Sequence, residues 1–417
     1  MTATRGPAVQ RRLAGVDAAR GLALLGMMAT HIVPLSQPAA GGALADASLA
    51  SVEPTWAALL FAGKASALFA ILAGVGLALL TGGPHPHAAA RLSATRRGVA
   101  VRALVIAGIG FASGMLDTHV AVILTHYGLL FVLAIPFLGL PARRLAWWAG
   151  GWLLVSPALW WAAHPVVAAL VRPADVGGSP QFADLARPAT LAADLLVTGY
   201  YPVLVWTGFI LLGLTLGRLD LARPRVVLGL LLGGGALALA ARSASDALVA
   251  LPQAAAALRG ATGTDGEGLR LALSTGQGLG GSEGTAWWFA LSAPHSGAPL
   301  DLLHVSGTAA AVLGACLLLA AALRAVLGDA GEPVLWPLAG AGAATLTLYT
   351  AHLVALDLLS GPTAQLPRHE LYLWFCAGAV LAGIGLKWAG TRGPLESLVH
   401  AAAASVASGA AAARDRR

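Results

Sequence analysis

Long apolar segments recur along almost the whole chain. Hydrophobic residues make up 57% of the 417 positions and charged residues only 11%, whereas a soluble domain typically carries about 25% charged residues. An apolar run of about 20 residues is long enough to cross the hydrocarbon core of a bilayer as a helix. The pattern therefore predicts an all-α, polytopic transmembrane helical bundle rather than a soluble core.

About ten segments have the length and composition of membrane spans. We expect them near residues 16–35, 56–80, a third that follows the basic loop and ends at about 116, and then 120–140, 145–170, 200–219, 226–241, 302–323, 336–358 and 371–388. Arginines cluster at 91–102, 143–144 and 218–225, and clusters of this kind mark cytoplasmic loops. The alternation predicts that both termini are cytoplasmic, and the expected location is the plasma membrane.

We expect a single transmembrane domain over residues 1–390, followed by a cytoplasmic, partly disordered tail over 391–417. The longest stretch without span character, 242–301, is predicted to face outward as a loop or cap. Its Trp287 and Trp288 fit either a membrane-associated cap or simple anchors at the interface. The net charge of +7 comes largely from clusters beside the spans, so membrane lipids are expected partners and nucleic acid is not.

Three ionisable residues share the first predicted span: Asp17, Arg20 and His31. Such side chains are costly at bilayer depth, and those present usually face the bundle interior and carry function. Asp17 also fits a helix start, and Arg20 is near enough to the interface to reach headgroups. A guanidinium matches phosphate bidentately, which makes Arg20 a phosphate-binding candidate. His31 lies about 16 Å further along the helix axis, where an imidazole could serve as general base or as an interhelical hydrogen-bonding group.

Further polar residues fall within or beside later spans. Lys64 is predicted to line a cavity with Asp117 or Glu283 as its partner, or else to reach outer headgroups. His126 and Tyr127 place hydrogen-bonding groups inside an apolar helix, which indicates a binding pocket or contacts between helices.

Two polar residues near the carboxyl end, Tyr349 and His352, are three positions apart and share one helix face. They are expected to line one cavity, unless they only pack in the core. His295, Asp301 and His304 superficially resemble a metal site but lack a paired ligand signal, so no metal is expected. The chain contains no nucleophile elbow and no phosphate-binding loop of the ATPase type, which argues against a serine hydrolase and an ATP-driven pump.

Residues 12–27, RLAGVDAARGLALLGM, resemble the first-helix signature of the heparan-α-glucosaminide N-acetyltransferase family and its bacterial relatives. Other stretches resemble the YeiB-type bacterial branch, namely 124–130 (LTHYGLL), 201–218, 344–349 (ATLTLY) and 392–396 (RGPLE). The separation of Arg20 from His31 is also similar to the Arg-to-His motif of membrane O-acyltransferases that modify surface sugars.

The resemblance implies a membrane enzyme that moves an acyl group, expected to be acetyl, from cytosolic acyl-CoA to a glycan or glycolipid acceptor on the outer side. A homodimer is a further expectation. The residue roles that we assign are catalytic for His31, Asp117 and His126; CoA-binding for Arg20, Asp17, Arg96, Arg97 and Arg102; and cavity-lining for Lys64, Tyr127, Glu283, Tyr349 and His352. Direct transfer and an acyl-histidine relay both fit.

The chain departs from the family pattern at one place. In the animal enzyme the catalytic histidine belongs to the loop before the second helix, where residues 52–56 here read VEPTW. Either His31 has taken that role or this branch performs another function. The alternatives are a transporter or lipid flippase without covalent chemistry, and a non-catalytic membrane partner.

Overall fold

The computed structural model describes residues 13–38, 52–171, 178–359 and 366–414. Its regular elements are almost all helical, as the composition predicts. Two short strands, β1 (Ser36–Pro38) and β2 (Val52–Pro54), form an antiparallel pair just beyond the first helix.

Ten α-helices precede residue 250: α1 (Ala14–Ile32), α2 (Trp56–Phe61), α3 (Lys64–Leu80), α4 (Ala89–Ser113), α5 (Leu124–Ala134), α6 (Ala142–Leu170), α7 (Pro188–Ala193), α8 (Val203–Gly217), α9 (Pro224–Leu228) and α10 (Gly234–Val249). Eight more follow: α11 (Pro252–Thr262), α12 (Gly266–Thr275), α13 (Pro299–Leu327), α14 (Gly331–Val334), α15 (Trp336–Ala343), α16 (Thr345–Leu358), α17 (Arg368–Trp388) and α18 (Pro394–Arg414). Every predicted span overlaps one or more of these helices.

Fewer helices than predicted have the length and apolar composition of a complete membrane span. Among the described residues there are five, at Trp56–Leu80, Ala142–Leu170, Pro224–Val249, Pro299–Val334 and Arg368–Trp388. Two bent pairs raise the number to seven: Pro188–Thr198 with Val203–Gly217, bent by 58°, and Trp336–Ala343 with Thr345–Leu358, bent by 84°. The structure thus establishes an all-α protein with five to seven candidate spans, and the count of ten remains a prediction.

Glycines bring the central helices into close contact. A Cβ atom on Gly213 of α8 would overlap the carbonyl oxygen of Ile71, and one on Gly74 of α3 would overlap that of Ile210. At Gly342 of α15 a Cβ would overlap the carbonyl oxygen of Asp17. Small residues let helix backbones approach one another in membranes, so α3 packs tightly on α8, and α1 on α15.

A buried arginine joins three parts of the chain at the end of α8. Arg218 is 3% exposed. Its guanidinium donates to the carbonyl oxygens of Ala78 at 2.7 Å and Gly83 at 2.8 Å, to Thr81 Oγ1 at 2.7 Å, and to the carbonyl oxygens of Leu138 and Leu140. This one side chain therefore satisfies acceptors at the end of α3 and in the turn before α6.

The carboxyl-terminal segment differs from its prediction. Instead of a partly disordered tail from residue 391, the chain forms α18, which packs on α4 and buries Val399. Glu396 of α18 accepts hydrogen bonds from the Leu346 and Thr347 backbone N–H groups at 2.7 and 3.2 Å, and from Thr347 Oγ1 at 2.6 Å. Because the first N–H groups of a helix need partners, Glu396 supplies the cap that lets α16 begin at the bend.

Residues 242–301, predicted as an outward loop or cap, contain the end of α10, then α11, α12 and two short 3₁₀ turns. Trp288 is 1% exposed and stacks on Trp160 of α6, with ring centroids 5.3 Å apart. The Trp161 indole donates to the Glu283 carbonyl oxygen at 2.7 Å. This segment is folded and packs on α6, and Trp288 belongs to that packing; its position as an outward-facing cap remains a prediction.

Candidate functional site

The first cavity lies at the end of the bundle where α1 begins and has a volume of about 290 Å³. Arg20 and Arg102 provide its cationic side chains and Glu396 its carboxylate, while Phe69 and Tyr127 line its apolar part. We call it the Arg20 cavity. An elongated ligand with anionic groups at one end suits this distribution of charge.

Arg20 is held in place by its own helix and by α3. Its Nη1 donates to Asp17 Oδ1 at 3.1 Å, and its Nη2 lies 3.4 Å from the carbonyl oxygen of Leu72. The Asp17 side chain is buried, whereas that of Arg20 is 24% exposed. Asp17 therefore orients Arg20, and the guanidinium keeps access to the cavity.

Of the other three arginines predicted to bind CoA, only Arg102 lines this cavity. Arg96 donates to the Pro136 carbonyl oxygen at 3.2 Å, and Arg97 is exposed and donates to Ser93 Oγ at 3.1 Å. Side chains spread over several turns of one helix point in different directions. The basic cluster of α4 thus does not converge on one site as a whole.

The second cavity, of about 320 Å³, lies at the opposite end of α3. Its lining includes Trp160, Tyr200, Trp206, His295 and Asp301. We call it the Asp301 cavity. Aromatic walls combined with a few polar groups are typical of small-molecule sites.

Asp301 and His295 are the polar residues of interest in this cavity. Asp301 is 4% exposed, and its Oδ2 accepts a hydrogen bond from the Gly297 backbone N–H at 3.1 Å. Within the described part of the chain, neither Asp301 Oδ1 nor His295 Nδ1 has a hydrogen-bond partner, and both atoms are buried. Burial lowers the pKa of His295 to about 4, so this imidazole is neutral at pH 7.

His295 has an unusual backbone and a dense aromatic environment. Its φ angle is 59°, a left-handed conformation that is uncommon outside glycine. The ring lies 4.6 Å from that of Tyr200 and 5.8 Å from that of Tyr201, measured between centroids. The turn before α13 therefore holds the imidazole in one orientation against the cavity wall.

His31 meets two aromatic residues of α16. His31 Nδ1 lies 3.0 Å from His352 Nε2, and the two rings stack with centroids 5.3 Å apart. Tyr349 packs edge-on against both, at 6.3 Å from His31 and 5.0 Å from His352. The end of α1 and the middle of α16 thus place two imidazoles in direct hydrogen-bonding contact.

Tyr349 also connects this group to α5, because its hydroxyl lies 3.5 Å from the Ile123 backbone N–H. On α5, His126 packs edge-on against Tyr201 at 5.5 Å, and Tyr127 stacks on Phe69 at 5.4 Å. We call His31, His126, Tyr127, Tyr349 and His352 the ring layer. Four of these five side chains are fully buried, and His31 is half-buried.

The two cavities come close to one another along α3. Ala67 lines the Asp301 cavity, whereas Phe69 lines the Arg20 cavity. Two residues advance a helix by only about 3 Å. The ring layer connects to both cavities. Tyr127 lines the Arg20 cavity, and His126 contacts Tyr201, which packs on His295 in the lining of the Asp301 cavity.

Three predicted site residues lie elsewhere or have other partners. Lys64 donates to the Leu59 carbonyl oxygen at 2.8 Å, so its predicted pairing with Asp117 or Glu283 is wrong. Glu283 Oε1 lies 3.8 Å from Nδ1 of His164 instead. Asp117 is exposed in the turn after α4, and its backbone N–H donates to Asp357 Oδ1 at 2.7 Å. None of these three residues lines either cavity, and neither do His31, His126, Tyr349 and His352. Of the residues predicted to line a cavity, Tyr127 is the one that does so.

Sequence reasoning missed Tyr200 and Trp206, and it considered His295 and Asp301 only as metal ligands. The described residues contain no group of three or more His, Cys, Asp or Glu side chains that could hold a metal ion. The sequence 294–299, PHSGAP, indicates a turn that leads directly into a helix. Asp301 lies in the first turn of that helix, so the sequence could have shown that His295 and Asp301 lie close together.

The chain matches the family model described as heparan-alpha-glucosaminide N-acetyltransferase, catalytic, over residues 12–230. This range is more than half of the chain and contains Arg20, His31, His126 and the shared helix α3. No curated protein matches the chain. His352, His295 and Asp301 lie beyond the matched range, in the part of the sequence that the family model does not describe.

Proposed function

The chain belongs to the heparan-α-glucosaminide N-acetyltransferase family, and on that premise we propose that it transfers an acetyl group from acyl-CoA, across the membrane, to a sugar acceptor. One observation carries the proposal: two cavities of different chemistry approach the same buried ring layer from opposite ends of α3. Transfer between two substrates requires that their reacting atoms meet in one oriented geometry.

In this proposal the donor enters the Arg20 cavity from the cytosol. Arg20 and Arg102 bind the CoA phosphates, since guanidinium groups recognise phosphate bidentately. The remaining apolar lining, with Phe69 and Tyr127, suits the uncharged arm that carries the thioester. Asp17 supports binding indirectly, by fixing Arg20 through the 3.1 Å hydrogen bond.

His31 is the proposed general base. It takes the proton from the acceptor hydroxyl or amine as that group attacks the thioester carbonyl. The C–S bond then breaks, and the CoA thiolate that leaves takes the proton from the His31 imidazolium, which restores the neutral base. For His31 Nε2 to accept a proton, Nδ1 must carry the ring hydrogen, and the acceptor 3.0 Å away is His352 Nε2. His352 is then a positioning residue that selects the tautomer of His31.

The acceptor approaches from the Asp301 cavity, on the outer side in the predicted orientation. Its aromatic walls suit the apolar face of a sugar ring, and its buried polar atoms suit ring substituents. Membrane lipids are further proposed partners. We also propose a homodimer, but the transfer reaction does not require one.

Replacing His31 by Ala tests this assignment in proteoliposomes supplied with labelled acetyl-CoA and methyl glucosaminide or methyl glucoside. We expect transfer to fall by about 100- to 10,000-fold, the range typical of a lost general base. His352→Ala should lower kcat less and leave the KM for acetyl-CoA unchanged. His369→Ala is the matched control, because His369 is largely exposed on α17.

Acetyl-CoA should still raise the melting temperature of His31→Ala, because a ligand that binds only the folded state stabilises it. Undiminished transfer by this variant would rule out the role of His31. Absence of stabilisation of the wild-type protein by saturating acetyl-CoA would favour a transporter instead. Labelled acetyl on the protein when acceptor is withheld would indicate an acyl-histidine relay rather than direct transfer.

A further inference from the structure

The Asp301 cavity contains a carboxylate that the protein itself uses only in part. Asp301 Oδ2 accepts the Gly297 backbone N–H, and the Ser296 side chain also interacts with this carboxyl group, whereas the buried Oδ1 has no hydrogen-bond partner of normal geometry among the described residues. Lys64 acts on Asp301 electrostatically, and the hydrogen bond that its ammonium donates goes to the Leu59 carbonyl oxygen. Oδ1 is therefore the less satisfied acceptor atom of this carboxyl group, and it lies beside the cavity.

An unpaired buried acceptor is unfavourable, because removal from water costs free energy that only a hydrogen bond restores. His295 Nδ1 is a second buried polar atom without a partner, and it belongs to the lining of the same cavity. These two atoms lie beside the aromatic rings of Tyr200 and Trp206. The lining is therefore complementary to a ligand that has hydrogen-bonding groups on its edge and an apolar face. A purely apolar chain does not fit this lining, because it would leave both polar atoms without a hydrogen bond.

We infer that Asp301 is the residue that selects and positions the acceptor, by accepting a hydrogen bond from one hydroxyl or ammonium group of a sugar ring stacked against Tyr200 and Trp206. His295 supports the same ring from the adjoining wall. The inference rests on the proposed transfer reaction and adds to it a specificity determinant beyond residue 230, outside the range that defines the family match. Acceptor choice in this chain would then be encoded by the turn before α13.

A purely structural role is the competing explanation, since Asp301 lies in the first turn of α13 and holds Gly297. The Asp301→Asn variant distinguishes this structural role from the proposed recognition of the acceptor. The Asn carbonyl oxygen can still accept the Gly297 N–H, whereas the atom presented to the cavity becomes an NH₂ donor. The substitution therefore keeps the hydrogen bond from Gly297 but removes the acceptor atom that would recognise a hydroxyl or ammonium group of the ligand.

The experiment compares wild type, Asp301→Asn and the control Glu267→Gln as full-length protein in proteoliposomes. Glu267 is an exposed acid on α12 of the same segment, so the control makes the same acid-to-amide change away from the cavity. The acceptors are methyl glucosaminide, methyl glucoside and their monodeoxy derivatives, with acetyl-CoA as donor. A hydrogen bond to a charged group corresponds to roughly a 10- to 100-fold effect.

We expect one monodeoxy acceptor to have a KM about 10- to 100-fold above its parent with wild type and Glu267→Gln, and no such penalty with Asp301→Asn. The informative derivatives are those that lack a group other than the one acetylated, and the position whose removal raises the KM identifies the group that Asp301 recognises. The same discrimination in all three proteins would overturn the inference while leaving the proposed function intact. No transfer by wild type to any acceptor would reject the proposed function itself, and acetyl-CoA stabilisation of all three proteins checks that they are folded.

Discussion

At the scale of single residues, the site depends on side chains that the sequence separates widely. Arg20 and His31 lie on one helix, and Tyr349 and His352 share one face of another, and both relations follow from helical periodicity. The 3.0 Å contact between His31 and His352 joins positions 321 residues apart. Periodicity within a helix cannot say which helix lies beside it, so this pairing could not be predicted from the sequence.

Arg218 gives a prediction at this scale. We expect Arg218→Ala to lower the free energy of unfolding by about 3 kcal/mol or more, because it leaves buried carbonyl oxygens of α3 and the turn before α6 without donors. Arg223→Ala should change it by less than about 1 kcal/mol, since that side chain is 75% exposed and surface ion pairs contribute little. Thermal unfolding in detergent measures both. An unchanged melting temperature for Arg218→Ala would contradict the role assigned to this residue.

At the scale of elements, hydropathy predicted where helices form but not how they are interrupted. Residues 336–358 appear as one apolar run, yet the chain bends by 84° between α15 and α16. The run contains no internal proline at the bend, and the group that caps α16 is Glu396, about 50 residues later. A cap supplied from so far along the chain leaves no local signal, which is also why α18 was taken for a tail.

The contact between α3 and α8 gives a prediction for elements. Gly213→Ala should lower the free energy of unfolding by about 1 to 3 kcal/mol, the usual cost of overpacking, because the new Cβ would overlap the Ile71 carbonyl oxygen. Gly235→Ala on α10 is the control, since nothing lies within 4 Å of its added Cβ. There the better helix propensity of alanine should raise the free energy of unfolding slightly. Equal melting temperatures for the two variants would show that α3 and α8 are not tightly packed.

At the scale of the whole molecule, the all-α architecture followed from composition, whereas the number of spans did not. The predicted spans that overlap α1, α4 and α5 do not appear among the candidate spans of the structure. For two of the three the reasons are local: α4 begins with a cluster of arginines, and α5 is only 11 residues long. Helices of this kind depend on their neighbours, so hydropathy alone does not decide whether each one crosses the bilayer.

Orientation in the membrane is predicted from the arginine clusters and can be measured directly. In a background with Cys316 and Cys376 replaced by Ala, Glu267→Cys on the cap should react with a membrane-impermeant maleimide on intact cells. Arg97→Cys on α4 should react only after permeabilisation, and both positions are exposed in the structure. The opposite labelling pattern would invert the predicted orientation and, with it, the proposed sides of donor and acceptor.

The ring layer has an electrical consequence. If the two cavities open to opposite sides of the membrane, as the proposed function requires, and both are filled with water, most of the membrane voltage falls across the buried ring layer. A full charge crossing that layer would exchange about 2.3 kcal/mol with every 100 mV. An acetyl group is neutral, so its transfer across the layer is almost independent of the membrane voltage. A proton released by the acceptor is charged, so its energy depends on the voltage that it crosses. If that proton leaves through the Arg20 cavity, the rate of acetyl transfer will depend on membrane voltage; if it leaves through the Asp301 cavity, the rate will not.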